Sequence, residues 1–424
     1  MIRAGIVVTG TEVLTGRIAD KNGPWVSEQL AGHGVEVAHI LIVGDRPEDL
    51  EAALRFMAAE GMDLIVTSGG LGPTADDLTA EMVARFSGRE LVLDEKMLKK
   101  IAEILRGFAR RFRLDEEAVL EANRKQAMVP EGSVALDPEG TAPGLVVPAG
   151  EQLVIVLPGP PQELQPMWTA ALEAAPVREV LARSTPLRTY TLRMFGVPES
   201  EIAKSLREIE ADGVDLAVVE ITTCLRKGEI EIDVRYRDEA ATVADDVRDG
   251  LVGRHRRETF SLDGETIDTQ VAALLKGRRL GLAESCSGGL LAARITDVPG
   301  ASDYMAGSVV AYSNEAKAEL LGVDPNLIEA KGAVSPEVAE AMASGALERF
   351  GADVSVSITG VAGPDGGTAE KPVGYVCFNA RLGDGTVIAR DPVIPGKRAD
   401  IRERSALIGM HLLRNLLSGA EPPL

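Results

Sequence analysis

The stretch LGLAESCSGGLLAARI, residues 280–295, decides the fold of the last third of the chain. A short apolar run passes directly into a turn holding Ser285, Ser287, Gly288 and Gly289, then into a segment whose apolar positions suit a helix. Strand, glycine turn and helix make up the βα step of a mostly parallel sheet, and ligands of such sheets bind at that strand end. The same grammar recurs in MDLIVTSGGLGPTADDLT, residues 62–79, and ADVSVSITGVAGPDGG, residues 352–367.

Working outward, IRAGIVVT, VEVAHILIV and LVIVLPGPP read as further buried strands of a first block. Asp20 and the Pro47-Glu48-Asp49 triplet mark helix starts between them. The middle reads differently: RTYTLRMFGV, VDLAVVEITT and GEIEIDVRY are strands flanked by helices near 199–209 and 239–254, with no glycine-rich ligand loop. The expected fold class is α/β, with two three-layer α/β domains (residues 1–175 and 261–424) joined by a small α+β domain (176–260). A length of 424 residues, at about 150 per domain, accommodates this.

Composition excludes several classes. No apolar run approaches the ~18 residues of a membrane helix, and the N-terminus lacks the pattern of a signal peptide, so a cytoplasmic location is expected. With 45 Lys+Arg against 65 Asp+Glu, the net charge of −20 repels nucleic acid at long range. No nucleic-acid or membrane partner is expected, and exposed strand edges in the central block predict a homodimer. Three cysteines without metal spacing and four dispersed histidines argue against a disulfide framework, structural zinc or a histidine triad.

In the first block, Gly69, Gly70 and Gly72 let backbone amides approach an anion beside the N-terminus of a helix. Asp77 is a candidate ligand or metal residue and Asp76 a candidate helix cap. Glu12 and Asp45 follow other strands of the same sheet and converge on one edge, with Gly159 after a later strand. In the third block, Ser285 sits at the strand-to-helix turn, with the amides near Gly288 and Gly289 as candidate oxyanion donors. AYSNEAK sets Tyr312 at a strand end and Lys317 within about one helical turn of a helix start. Without a usable histidine, serine plus lysine is the simplest nucleophile and base for hydrolysing an amide. Thr359, Gly360 and Gly363 supply a second flexible loop. Arg398 and Arg402, four apart on one helix face, suit a phosphate.

These segments resemble a known family. GTEVLTG, GGLGPTADDLT, EANRKQA, GTAPG and LPGPPQE are similar to the N-terminal domain of the competence/damage-inducible CinA proteins, itself like molybdopterin-binding domains. AESCSGG, GAS, VVAYSNEAK, GAVS, SITGVAGPDGG and KPVGYV resemble the CinA C-terminal domain over nearly its full length. The resemblance implies two activities. One is nicotinamide mononucleotide deamidation at the C-terminal site, without a cofactor, with Ser302, Lys317, Ser285, Tyr312 and Arg398 matching family site positions; two serines compete for the nucleophile's role, Ser302 being favoured with Ser285 orienting substrate, and the sequence does not separate them. The other is ADP-ribose pyrophosphatase activity dependent on a divalent metal (Mg, Mn or Co), with Gly69, Gly70, Gly72, Asp77 and Thr79 binding ligand and Asp77, Asp45 and Glu12 holding metal. Leu71 departs from the pterin motif, which normally has Thr between its glycines, and in the C-terminal domain Ser287 stands where relatives usually carry Thr and Lys397 where they often carry Asp. The alternative is a non-catalytic pterin or nucleotide binder acting in competence or the DNA-damage response.

Overall fold

The computed structural model describes residues 2–112 and 115–421, which form a mixed α/β architecture. Two compact units divide the chain, residues 1–187 and 188–424.

The first unit is built on eight strands: β1 (Ile2–Thr9), β2 (Val35–Val43), β3 (Leu64–Ser68), β4 (Leu91–Leu93), β5 (Met128–Pro130), β6 (Val134–Leu136), β7 (Gly144–Ala149) and β8 (Gln152–Leu157). The main sheet has the order β2-β1-β3-β8-β7-β6, parallel through β8 and antiparallel at β7 and β6. Successive side chains of a strand face opposite ways, so Ala4, Ile6 and Val8 enter one core with Val26, Leu30 and Trp168. Val7 and Ile65 enter the other, with Leu54, Met57 and Met82. Both faces are thus covered by helices. Asp20 acts as read from sequence, its carboxylate accepting from the amides of Asn22 and Gly23. Helix Ala175–Leu181 buries Val177 in the first core, so this unit runs past residue 175 to residue 187.

The second unit holds two sheets. A four-stranded sheet contains β9 (Arg188–Met194), β10 (Glu220–Arg226), β11 (Glu229–Tyr236) and β12 (Thr259–Ser261), in the order β10-β11-β9-β12. The β10–β11 turn is Lys227-Gly228, with φ of 52° and 90°, the doubly positive geometry that matches strand twist in a two-residue hairpin. A five-stranded sheet contains β13 (Leu280–Glu284), β14 (Met305–Val310), β15 (Val354–Gly360), β16 (Val376–Leu382) and β17 (Val387–Arg390), in the order β14-β13-β15-β16-β17. Its first three strands run parallel and its last two antiparallel. Helices Ile267–Leu274, Leu290–Thr296 and Arg398–Ser418 cover one face, and Pro336–Phe350 covers the other.

The two sheets are joined through helix Arg398–Ser418. His411, buried there, lies 2.7 Å from the Glu229 carboxylate of β11 and stacks on Phe195 with ring centroids 3.8 Å apart. Burial holds its pKa below the ordinary histidine value against the opposing pull of Glu229. The central sheet is therefore tied to the five-stranded sheet by a buried polar contact.

Candidate functional sites

In the five-stranded sheet, β13, β14 and β15 end on one edge, and the amide of Ser285 donates to Ile358 O at 2.8 Å just past that edge. Lys317 reaches the same place from helix Asn314–Leu321, whose N-cap Ser313 accepts from the Ala316 amide. A helical side chain tilts toward its own N-terminus, which sends the Lys317 stem back to the strand ends. Its ammonium nitrogen lies 3.1 Å from Ser285 Oγ and 2.9 Å from Ala311 O, and the residue is only 2% exposed. Burial pushes the Lys317 pKa down, opposed only by the neighbouring Cys286. Among the described residues no carboxylate pairs with this amine, and the downward shift favours its basic form.

The turn after β13 is organised by Glu284. Its carboxylate, fully buried, accepts from Ser287 Oγ at 2.7 Å and from the amides of Gly289, Leu291 and Ala292 at 3.1, 3.1 and 2.9 Å. Gly288 N–H donates to Ser285 O at 3.1 Å. The amides of Gly288 and Gly289, expected as oxyanion donors, are therefore already committed, and their role is to hold the turn. Charge patterning gave no hint of this, because a lone acid before a serine looks like a loop residue.

Ser302 requires a second correction. It is exposed in a short 3₁₀ turn, Ala301–Asp303, that precedes β14. Because β14 runs parallel to β13, with Met305 beside Leu280 and Val310 beside Glu284, Ser302 lies at the opposite edge of the sheet from Ser285. Five strand residues at about 3.3 Å each separate the edges by roughly 16 Å. Within one chain Ser302 does not meet Lys317.

Tyr312 and Arg398 do come together. The Arg398 guanidinium donates to Tyr312 Oη at 2.7 Å and to Gly363 O at 2.9 Å, bringing the loop after β15 to the same edge. Arg402 donates to Ser287 O at 3.1 Å. Thr359 is 1% exposed and its hydroxyl donates to Ala333 O, so it braces the strand end; Gly360 closes β15 beside it.

The first unit carries a cavity of about 350 Å³ at the ends of its parallel strands. Gly69, Gly70, Gly72, Glu12, Asp45 and Asp77 all line it. Gly69 and Gly70 have φ of 105° and 66°, a region that a side chain resists. Thr79 stands behind the wall, its hydroxyl donating to Gly69 O at 2.8 Å, and positions the loop. Asp76 and Asp77 cap no helix: the cap position of Thr79–Phe86 is Leu78, and both acids accept from the Thr74 hydroxyl. That bond is the main reason the Asp76 carboxyl is held below the usual range. Sequence reading missed Gln126, Thr141 and Glu163 on this wall; burial raises the Glu163 pKa.

Glu12, Asp45 and Asp77 share the cavity without forming a coordination shell. Among the described residues no three Asp, Glu, His or Cys side chains converge closely enough to hold a metal. Asp45 is occupied by the amide and hydroxyl of Thr11 at 2.9 and 2.7 Å, and Asp77 by Thr74. The donors fit a hydrated divalent ion that borrows ligands from a phosphate, as magnesium commonly does, better than a resident ion.

Comparison with known proteins gives matches to both ends. Residues 264–417 match the CinA C-terminal domain family, and residues 5–177 match the family described as a probable molybdopterin binding domain. A CinA-like protein of Mycobacterium tuberculosis strain H37Rv is 59% identical over 421 residues, covering 98% of each chain. A CinA-like protein of Mycolicibacterium gilvum is 59% identical over 418 residues, 98% of this chain and 99% of that one. Among solved structures, a competence/damage inducible protein of Agrobacterium tumefaciens is 35% identical, covering 37% of this chain and 99% of its own, with a TM-score of 0.35.

Proposed function

The chain belongs to the CinA family, and from that premise we propose that its C-terminal site hydrolyses the carboxamide of nicotinamide mononucleotide to the acid and ammonia. The observation that carries this reading is the buried Lys317 amine 3.1 Å from Ser285 Oγ. Lys317, neutral, takes the Ser285 proton as Oγ bonds to the carboxamide carbon. The collapsing tetrahedral species breaks its C–N bond, and the proton moves from Lys317 to the departing NH₂ to give ammonia. Water, deprotonated by the same amine, cleaves the ester and restores the serine. Ala311 O fixes the amine in line, and Arg398, on Tyr312, offers its remaining N–H groups to the substrate phosphate. Incubating the protein with nicotinamide mononucleotide and following ammonia tests this; Ser285→Ala and Lys317→Met should each abolish release.

A second reading concerns the first unit, where the 350 Å³ cavity with its glycine loop and three carboxylates supports binding of a nucleotide diphosphate such as ADP-ribose. Asp77 with Asp45 or Glu12 would hold a divalent cation, whose chemistry there is to neutralise phosphate charge. Asp77→Ala is expected to lower ADP-ribose affinity by calorimetry while ammonia release stays intact. Undiminished affinity would remove this site from the account.

A further inference from the structure

Five carboxylates line the cavity of the first unit, those of Glu12, Asp45, Asp76, Asp77 and Glu163, and their surroundings divide them. Asp45 accepts from the amide and hydroxyl of Thr11, and Asp76 and Asp77 accept from the Thr74 hydroxyl. Such donors favour the charged form of a carboxylate, which suits these three to a cation or to ligand hydroxyls. Glu12 is exposed, and water favours its charge in the same way. Glu163 differs. It is half-buried at the third residue of helix Pro161–Glu173, and among the described residues no donor or cation pairs with its carboxylate. Burial raises its pKa. Where environments push the carboxyls of one site apart in this way, proton transfer falls to one and charge stabilisation to the others.

Two glycines place the Glu163 carboxylate. Gly140 leaves it room: a Cβ there would stand 2.5 Å from Cδ and Oε1 of Glu163 and 2.7 Å from Oε2. Gly159, in the turn that leads into the helix, lies against the glycine loop, since a Cβ on it would stand 3.5 Å from Gly69 Cα. The helix that carries Glu163 therefore starts beside the loop whose amides suit an anion, and its third residue lines the same cavity.

We propose that Glu163 is the general base of a hydrolysis in this cavity, taking a proton from the water that attacks the pyrophosphate of a nucleotide such as ADP-ribose. This role rests on the binding of ADP-ribose proposed above and gives that site a reaction. The water oxygen bonds to one phosphorus as the bridging P–O bond breaks, and the electron pair of that bond leaves on the departing phosphate. ADP-ribose and water give AMP and ribose 5-phosphate. Glu163 accepts one water proton in this step and passes it to solvent once the products have left.

The test uses the full chain with ADP-ribose and, in turn, magnesium, manganese and cobalt ions. Wild type should bind ADP-ribose by calorimetry and release AMP. Glu163→Gln keeps the shape of the side chain without its basicity, so Kd should stay within about twofold while kcat falls by about 10²–10⁴, the usual share of a general base. Gly140→Ala keeps the carboxylate but pushes it aside, because the three atoms nearest the new methyl all belong to the flexible end of Glu163. It should lower kcat by about tenfold or more with Kd kept, and should cost nothing further when added to Glu163→Gln, since both act through one group. Retained affinity shows that each variant is folded. Wild-type kcat in Glu163→Gln overturns the proposal. So does a loss of affinity that matches the loss of kcat, or a wild type that binds ADP-ribose without cleaving it; the binding site survives each of these results. A wild type that does not bind ADP-ribose removes the site and its base together.

Discussion

Replacing Lys317 by Met keeps most of the apolar stem and deletes only the amine. The loss removes the one base within 3.1 Å of Ser285 Oγ. General base catalysis supplies about 10²–10⁴ in rate, or roughly 3–5 kcal/mol of barrier, and kcat for ammonia release should fall by that factor. Stability should hardly move. The variant strands Ala311 O and the Ser285 hydroxyl without a donor, at a cost of about 1–3 kcal/mol, but it also relieves the burial of a cation. The two effects oppose each other, so Tm should shift by only about 5 °C or less. The pH dependence gives an independent check. Burial lowers the folded-state pKa of Lys317 below the unfolded value of about 10.4. Between those two values the unfolded chain binds the extra proton. The penalty for burying the amine is therefore full below the folded-state pKa, shrinks as pH rises through that window and is gone above the unfolded value. Wild-type kcat should climb with pH to a plateau whose midpoint lies below that of free lysine, and wild-type stability should rise over the same window; Lys317→Met should show neither slope. Steady-state ammonia assays and thermal melts on both proteins from neutral pH upward measure these quantities. A variant that keeps a tenth of wild-type kcat, or a wild-type midpoint at the ordinary lysine value, refutes the reasoning.

Three further outcomes are expected. Ser302→Ala should leave ammonia release unchanged, because that hydroxyl stands at the far edge of the sheet; a loss of activity would mean that the serine acts from a second copy of the chain. Glu284→Ala strands three amides and a hydroxyl, and denaturant unfolding should show a loss of at least about 3 kcal/mol, at about 1–3 for each orphaned group; Glu284→Gln, which still accepts, should lose clearly less. Alkylation of the folded protein near pH 8 should modify exposed Cys224 alone, since burial pushes the Cys286 thiol up to about 12 and the Cys377 thiol up to about 11. Labelling of Cys286 before unfolding would contradict the burial of the turn.

Much of the fold was legible because its strands are short apolar runs ended by glycine. IRAGIVVT, MDLIVTS and RLGLAES became β1, β3 and β13 close to the residues read. Strand direction was not legible. β7 and β16 are as apolar as their parallel neighbours; β7 is turned back by the two-residue connection to β8, whereas the long segment between β15 and β16 leaves either direction open. The extent of the first unit was hidden for a similar reason: Val177 belongs to its core, yet nothing in AAPVREVL distinguishes the end of one unit from the start of the next.

The sites divide in the same way. Ser285 and Lys317 could be brought together from sequence because both lie past the ends of parallel strands of one sheet. Ser302 precedes its strand, and motif proximity carries no information about which edge a residue occupies. Gly288 and Gly289 looked like anion donors, but the turn itself takes up their amides, Gly289 on the buried Glu284 carboxylate and Gly288 on Ser285 O. Asp76 looked like a cap, but its carboxylate turns to the Thr74 hydroxyl in the loop; Asp77, read as a ligand residue, lines the cavity beside Thr74.

The most direct test is to quench the protein during turnover of nicotinamide mononucleotide at acid pH, digest it and locate any acyl adduct by mass spectrometry. The account predicts the nucleotide acyl group on the peptide containing Ser285, absent in Ser285→Ala and in Lys317→Met. An adduct on the peptide containing Ser302, or ammonia release with no adduct on any serine, would contradict it.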